Sequence, residues 1–335
     1  MRSHELRGIM RRRDCVFGLA GAVAMTLGAR AQQPVMPTIG FLSTGTATGL
    51  DAYVDGFRKG LAAAGFTEGR NVKVEYRWAD NRHDRLPALA ADLISQRVAV
   101  IVTGGATAAA LAAKAATTTI PIVFTVGSDP VKLGLVDSMN RPTGNVTGVS
   151  FIANDLVTKQ LQLLRAMLPP SSVIGLFVNP NNPNAAFDIE RARTAAASLG
   201  LQVHIVNIVA GRDISAAFDE ILSARSAALV VQPDTLFIDE RKRLAEIAAA
   251  RKLPAIYSNR LYVKDGGLMS YGSNPTEAFR EAGAYTGRLL RGEKPSDLPV
   301  VQSVRFELVV NLKATKALGI ELPPTLLALA DEVIE

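Results

Sequence analysis

The sequence predicts an α/β protein with two lobes, each built on a largely parallel, doubly wound sheet. Strand-like and helix-like segments alternate from Thr38 onward, which is the pattern of parallel sheets covered by helices. The alternation restarts after residue 151, so two units of ordinary domain size are expected. With 48% hydrophobic and 20% charged residues over 335 positions, the chain is long and apolar enough to fill both cores.

The first 31 residues predict an export signal rather than part of the fold. Three arginines at 11–13 precede an apolar segment at 16–27, and Ala29-Arg30-Ala31 has the small-x-small pattern of a cleavage site. The apolar segment is shorter than the roughly 20 residues of a membrane-spanning helix. We therefore expect cleavage before Gln32 and a periplasmic protein.

Two details of the signal stay open. Arg12-Arg13 resembles a twin-arginine signal, but Cys15 stands where phenylalanine is usual, so twin-arginine export and general secretion are both possible. Met10 precedes the basic stretch directly and is an alternative start to Met1.

Removal of the signal changes the charge and the thiol chemistry. It takes six arginines and two acidic residues from the 37 basic and 31 acidic residues of the chain. The mature chain then has an excess of only two positive charges, which does not indicate a nucleic-acid-binding protein. Cys15 is the only cysteine, so the mature protein has no disulfide, thiol nucleophile or thiolate metal site.

Apolar periodicity predicts the elements of the first unit. A helix after the first strand has Leu50, Tyr53, Val54, Phe57 and Leu61 on one face. Further helices are expected over 86–94 and in the alanine-rich segment that follows Gly105. The strands are short apolar runs bounded by polar turns, at 38–43, 71–78, 98–103, 120–126 and 146–151.

The second unit repeats the arrangement. Its predicted helices are 157–168, 185–199, 214–222 and 239–250, and its predicted strands are 173–178, 201–208, 227–232, 253–258 and 266–272.

The tail predicts a return to the first unit. A helix at 277–290 is followed by strands at 298–303 and 306–311 and a short closing helix at 312–318. We expect the chain to cross between the units three times, which favours a hinge between rigid bodies. The predicted first lobe is 37–150 plus about 275–302, and the second is 151–274 plus about 303–335.

Enzyme motifs are missing from the sequence. It has no G-x-G-x-x-G after a strand, no P-loop, no G-x-S-x-G and no H-E-x-x-H. The mature chain retains only His83 and His204, for which structural roles are the simpler interpretation. We therefore predict no catalytic residues, no metal and no cofactor.

The turn at Gly104-Gly105 is the most informative local feature. It ends the third predicted strand and opens a helix, where exposed amides and the helix dipole favour an anion. Lys114 lies too far along the helix to act like a P-loop lysine. Two interpretations remain open, namely an anion site and a turn that merely needs glycine.

Polar residues follow the other predicted strands as well. Each is a possible helix N-cap, but together they would surround a cleft suited to a small zwitterion or carboxylate. Tyr257, Tyr271 and Trp78 are candidate apolar walls, with packing the stronger interpretation for Trp78. The polar strand ends are Ser43 to Thr46, Gly127 to Asp129, Asn179 to Asn182, Asp234, and Ser258 with Asn259.

Three long segments resemble a known family. Residues 125–150, 253–272 and 318–335 are similar to substrate-binding proteins of ABC transporters, in the group with tryptophan- and tyrosine-type binding proteins. The resemblance implies a type I periplasmic-binding fold, with two Rossmann-like lobes and a three-segment hinge. By the same resemblance, the ligand would contact Ser43, Thr44, Gly105, Ala106, Thr107, Ser128 and Asp129 of the first lobe and Asn154, Asn179, Asn181, Asp234, Tyr257 and Asn259 of the second.

The predicted function is therefore a periplasmic receptor for a small organic solute, an amino acid or an aromatic or aliphatic carboxylate. Amides at Gly105 to Thr107, with Ser43 and Ser128, would hold a carboxylate, while Asp234 would pair with an amino group and Tyr257 would stack on the side chain. The expected partners are ABC permease and ATPase subunits in the inner membrane, with no nucleic acid, and the protein is expected to be a monomer. A ligand sensor for a signalling receptor is the alternative, and a secreted α/β enzyme is a weaker one.

Overall fold

The computed structural model describes residues 36–151, 156–302 and 305–335, which form one compact unit. The predicted export signal lies outside the described residues, as does Asn154. No helix in the described part of the chain is both long and apolar enough to cross a membrane.

The first sheet has six parallel strands in the order β11-β5-β4-β3-β1-β2. We call this sheet and its helices the first lobe. Strands β3, β4 and β5 are buried along their whole length, because helices cover both faces of the sheet. The elements are β1 (Thr38–Ser43), α1 (Asp51–Ala63), β2 (Lys73–Trp78), α2 (Leu86–Ser95), β3 (Val100–Gly104), α3 (Thr107–Ala116), β4 (Ile122–Val126) and β5 (Val146–Ser150).

The second sheet has seven strands in the order β13-β12-β10-β9-β8-β6-β7. We call it and its helices the second lobe. Among the described strands of this sheet, β10 and β12 pair antiparallel and the other neighbours pair parallel. The elements up to β10 are α4 (Leu156–Arg165), β6 (Val173–Val178), α5 (Ala185–Ser198), β7 (Gln202–Asn207), α6 (Ile214–Ser223), β8 (Ala228–Val231), α7 (Thr235–Asp239), α8 (Arg241–Ala250), β9 (Ala255–Tyr257), α9 (Arg260–Lys264) and β10 (Met269–Ser273).

The last fifth of the chain passes between the sheets. After β10, helix α10 (Pro275–Leu290) packs along α1, and β11 (Val301–Gln302) pairs with β5 of the first sheet. Strand β12 (Phe306–Asn311) then rejoins the second sheet beside β10. The predicted late return to the first sheet is therefore present, and the fold is the α/β, two-lobed arrangement predicted from the sequence.

Helices α1 and α10 approach until their backbones touch. A Cβ atom at Gly60 would overlap the Arg280 carbonyl, and one at Gly283 would overlap the Phe57 carbonyl. The two glycines therefore allow this close contact, which fixes α10 on the first lobe directly after β10 leaves the second.

Several predicted boundaries differ from the structure. Helix α10 begins at Pro275, two residues earlier than predicted, because Asn274 accepts a hydrogen bond from the Thr276 amide and caps it. Strand β11 begins at Val301, three residues later than predicted. Helix α11 (Leu312–Leu318) does not close the fold, because Gly319 in the left-handed region ends it and α12 (Pro324–Ala328) and β13 (Glu332–Ile334) follow.

Candidate functional site

A cleft lies between the two lobes, beyond the carboxyl ends of the strands in both sheets. This is where open α/β sheets bind ligands. Its volume is about 120 Å³, whereas one buried water requires about 10–15 Å³. The lining is mixed, with apolar and aromatic walls around a smaller number of polar groups, as is usual for sites that bind small organic molecules.

On the first-lobe wall, the polar groups around the start of α3 come mainly from the backbone. Gly105 follows β3 with φ +72°, a conformation that glycine adopts without strain, and its amide donates to the Thr125 hydroxyl (2.8 Å). Helix α3 then begins at Thr107 after Ala106, whose methyl side chain cannot cap it. The first-turn amides of α3 thus have no side-chain cap and no partner within the helix, and they lie at the cleft.

Hydroxyl groups support this wall. Ser128 lines the cleft after β4, and its carbonyl accepts a hydrogen bond from the Ser150 hydroxyl (3.1 Å). Ser43 is fully buried and donates to the Gly104 carbonyl (3.1 Å). Ser43 therefore holds the glycine turn from behind and is not among the residues that line the cleft.

The second-lobe wall contains a network of polar side chains centred on Asp234. Its carboxylate accepts hydrogen bonds from Asn179 Nδ2 (3.0 Å), Asn182 Nδ2 (2.8 Å) and the Leu236 amide (2.9 Å). The last of these caps helix α7. Burial raises the pKa of Asp234, although the three donors oppose that shift. Three of the acceptor positions of this carboxylate are thus already used within the protein.

A second carboxylate on the same lobe lines the cleft and was not predicted. Asp188 lies in the first turn of α5, and burial raises its pKa to about 6, with the Arg191 charge opposing the shift. Arg191 and His83 also line the cleft. Asp188 and Arg191 are three residues apart, so they lie on one face of α5. This spacing is visible in the sequence shortly after the polar strand end at Asn179 to Asn182, and it could have indicated the two residues.

Aromatic side chains form the apolar part of the lining. Tyr53 stacks on Phe279 with ring centroids 5.3 Å apart, and Tyr262 stacks on Tyr257 at 4.6 Å. Tyr53, Phe279 and Tyr262 line the cleft together with Phe151. Tyr257 is fully buried behind Tyr262, so the structure places it outside the lining where we had predicted a ligand-stacking ring.

The other two aromatic candidates also have packing roles. Trp78 lies against Phe41 (5.5 Å) and Tyr76 (5.9 Å), as its stronger interpretation predicted. Tyr271 stacks on Phe306 (5.9 Å). Neither is among the lining residues of the cleft.

Polar side chains of the second lobe contact the first lobe beside the cleft and at its rim. Asn184 Nδ2 of the second lobe donates to the Thr107 hydroxyl of the first (3.2 Å). At the rim, Asp239 Oδ2 accepts from the Thr46 amide (3.1 Å) and from Asn81 Nδ2 (2.6 Å). The two lobes are therefore connected by polar contacts beside the cleft and at its edge.

The predicted ligand contacts divide into two groups. Gly105, Ala106, Thr107, Ser128, Asp234 and Asn259 line the cleft. Outside the lining are Ser43, Thr44, Asp129, Asn179, Asn181 and Tyr257.

The residues outside the lining act on the wall or on nearby turns. Asp129 Oδ1 accepts from the Val131 and Lys132 amides, so it closes a turn on the rim. Asn179 accepts from the Asn181 amide (3.0 Å) while it donates to Asp234. Polar residues at the strand ends thus form hydrogen bonds within nearby turns and side-chain networks more often than the sequence suggested. In the part of the chain that the structure describes, no cluster of three or more histidine, cysteine or acidic residues could hold a metal ion.

Comparison with known proteins identifies the family. The sequence profile described as ABC transporter substrate binding protein matches residues 41–334. The tyrosine-binding protein of Clostridioides difficile is 28% identical over 272 residues, which are 81% of this chain and 78% of that protein.

Two solved structures resemble the whole fold. A conserved domain protein from Vibrio cholerae has a TM-score of 0.81 and 28% identity, covering 89% of this chain and 99% of its own. The ABC domain in complex with L-Trp from Streptococcus pneumoniae has a TM-score of 0.78 and 26% identity, covering 88% of this chain and 100% of its own. The protein therefore belongs to the family of ABC transporter substrate-binding proteins.

Proposed function

We propose that the protein is the periplasmic solute receptor of an ABC uptake transporter and that it captures an amino acid or a related aromatic carboxylate. One observation carries the proposal: a single cleft combines the uncapped N-terminus of α3 on the first lobe, acidic side chains on the second lobe and aromatic side chains from both. Relatives named for tyrosine and solved with L-Trp support the ligand class.

The ligand carboxylate would bind at the first-lobe wall. Residues in the first turn of α3 line the cleft, and the helix dipole favours a negative charge there. Ser128 would supply a further hydrogen bond from the neighbouring strand end. These groups are fixed by the sheet, so they would bind the carboxylate without much rearrangement.

The amino group, where the ligand has one, would pair with Asp188 rather than with Asp234. Asp234 already accepts three hydrogen bonds from the protein, whereas the described residues offer Asp188 no comparable set of donors. Asp188 lines the same cleft from the lobe opposite α3. A zwitterion would then bridge the two lobes, with its carboxylate on the first and its ammonium group on the second.

Binding would favour closure of the lobes, since a bridging ligand contacts both only when they are together. The three passages between the sheets, after β5, β10 and β11, would act as the hinge. ABC permease and ATPase subunits are the proposed partners, with export by the N-terminal signal and a monomeric receptor. We propose no catalysis, because the mechanism requires only binding and release.

A thermal-shift screen tests the proposal. The mature chain from Gln32 is heated with amino acids, aromatic acids and short aliphatic carboxylates. A ligand at 100 times its dissociation constant should stabilise the protein by about 2.7 kcal/mol, a shift of roughly 5 °C. Isothermal titration should then give one site per chain. A protein that responds to no member of the panel but turns over a chromogenic ester or phosphate would disprove the receptor function.

A further inference from the structure

Two buried polar atoms in the second-lobe wall lack hydrogen-bond partners. Gln232 and Tyr262 both line the cleft and are only 5% and 1% exposed. Among the residues that the structure describes, neither Gln232 Nε2 nor the Tyr262 hydroxyl has a partner. Buried polar groups are rarely left unpaired in folded proteins, so unpaired atoms in a cleft wall indicate a group that the ligand satisfies.

The sheet brings the two residues to the same edge of the cleft. Gln232 directly follows β8, and Tyr262 lies in the helix that follows β9. Strands β8 and β9 are parallel neighbours, with Val230 opposite Ile256, so both residues follow the carboxyl ends of adjacent strands. The ring of Tyr262 stacks nearly parallel on Tyr257 (11°), which holds its position.

The chemistry of both atoms favours an acceptor on the ligand. Nε2 of an amide only donates. Burial raises the pKa of Tyr262 well above its ordinary value, and the nearby Tyr53, Tyr257 and Asp234 add to the shift, so the hydroxyl keeps its proton and can donate. Because the Asp234 carboxyl is close enough to act on Tyr262, a second negative charge would be disfavoured there. An uncharged oxygen meets these conditions.

We propose that Gln232 and Tyr262 form a subsite for an uncharged oxygen at the end of the ligand remote from its carboxylate. The subsite would make the cleft prefer a side chain that ends in a hydroxyl or carbonyl oxygen over one that ends in hydrocarbon. This inference rests on the proposed function, since it takes the carboxylate at α3 as the other end of the ligand.

Matched ligand pairs that differ by one oxygen test the subsite. Suitable pairs are tyrosine with phenylalanine and 3-(4-hydroxyphenyl)propionate with 3-phenylpropionate, measured by isothermal titration. The wild type should bind the hydroxylated member of a pair at least about tenfold more tightly, because the hydrocarbon member leaves both donors unpaired. Tyr262→Phe and Gln232→Leu should each move that ratio towards one.

Tyr257→Phe is the matched control. Tyr257 is the stacking partner of Tyr262, is equally buried and also has an unpaired hydroxyl, but it lies behind the cleft wall. Its variant should keep the wild-type ratio, and thermal unfolding verifies that all three variants are folded. A ratio that falls equally in Tyr257→Phe and Tyr262→Phe would contradict the subsite.

The remaining outcomes separate the subsite from the function. If the wild type binds both members of the pairs with equal affinity, the subsite is wrong while the proposed function stands. If it binds neither member of any pair and no other carboxylate, the proposed function is wrong and the subsite is rejected with it.

Discussion

The polar groups on the two walls of the cleft come from different parts of the chain, although aromatic side chains line both walls. The first-lobe wall presents backbone amides from an uncapped helix, and the residues at its turn, Gly105 to Thr107, are small. The second-lobe wall presents side chains, yet two helices that start there, α7 and α9, are capped by their own residues Asp234 and Asn259. An uncapped helix N-terminus leaves its amides for a ligand, whereas a capped one has already used its strongest acceptor on itself.

This difference predicts which substitutions affect ligand binding and which affect folding. Changes to the first wall should remove affinity, because the first-turn amides of α3 have no partner within the helix. Changes to the capping residues of the second wall should remove stability instead. Asp188, Gln232 and Tyr262 are among the second-wall side chains that line the cleft without capping a helix, so their substitution should affect binding.

The largest effect is expected for Gly105→Leu. A Cβ atom at Gly105 would lie 3.5 Å from the Phe279 ring, so a longer side chain has to extend into the cleft and cover the amides of α3. Affinity for the carboxylate ligand should fall at least about a hundredfold, the loss of two or more charge-assisted hydrogen bonds. Isothermal titration measures the loss.

Gly144→Leu controls for backbone strain. Gly144 has φ +77°, close to the +72° of Gly105, but no atom lies within 4 Å of the position that a Cβ atom would take there. Both variants should lose about 1–2 kcal/mol of unfolding free energy from the left-handed backbone, and only Gly105→Leu should lose binding. Equal affinity in the two variants would show that the glycine turn is no part of the site.

An intermediate effect on affinity is expected when Asp188 is protonated. Binding of an ammonium group requires its ionised form, and its pKa of about 6 means that a proton must leave when the ligand binds at lower pH. Affinity for an amino acid should therefore fall about tenfold from pH 7 to pH 5. Titrations in two buffers of different ionisation enthalpy would detect the released proton.

Asp188→Asn should weaken amino-acid binding at pH 7 by about tenfold or more and remove the pH dependence between pH 5 and pH 7. Glu190→Gln, on the exposed side of the same helix, is the charge-matched control and should change neither. A pH dependence that persists in Asp188→Asn would assign the titration to another group.

The sequence predicted the fold well because its signals are local. Apolar runs and helical periodicity identify the strands and longer helices, and the return of α10 and β11 to the first sheet follows from the order of the elements. Short elements were missed because α7, α9 and α12 have five residues each, too few for a helical period to appear. The contact of α1 with α10 was also invisible, since it depends on glycines far apart in the chain.

The site was harder to predict because a polar residue at a strand end can bond either a ligand or another group of the protein. Gly105 to Thr107 are exposed to the cleft by a turn that the sequence encodes directly. Whether Asn179 faces a ligand or Asp234 depends on the neighbouring strand, 55 residues away. Tyr257 and Tyr262 stack on each other, and which of the two lines the cleft depends on how α9 packs on its sheet. The ligand contacts themselves stay a prediction.

The smallest expected effect distinguishes the two walls most directly. Asn259 lines the cleft but accepts a hydrogen bond from the Leu261 amide (3.0 Å) and caps α9. Asn274 caps α10 in the same way through the Thr276 amide (3.1 Å) and is not among the lining residues. Asn259→Ala and Asn274→Ala should each cost about 1 kcal/mol of unfolding free energy, seen as a fall of roughly 2 °C in Tm.

If the second-wall caps serve the fold, both variants should bind ligand within about threefold of the wild type, since neither loses a ligand contact. A tenfold loss confined to Asn259→Ala would mean that this side chain bonds the ligand as well as its helix, and the contrast between a ligand-binding backbone wall and a self-capped wall would then fail.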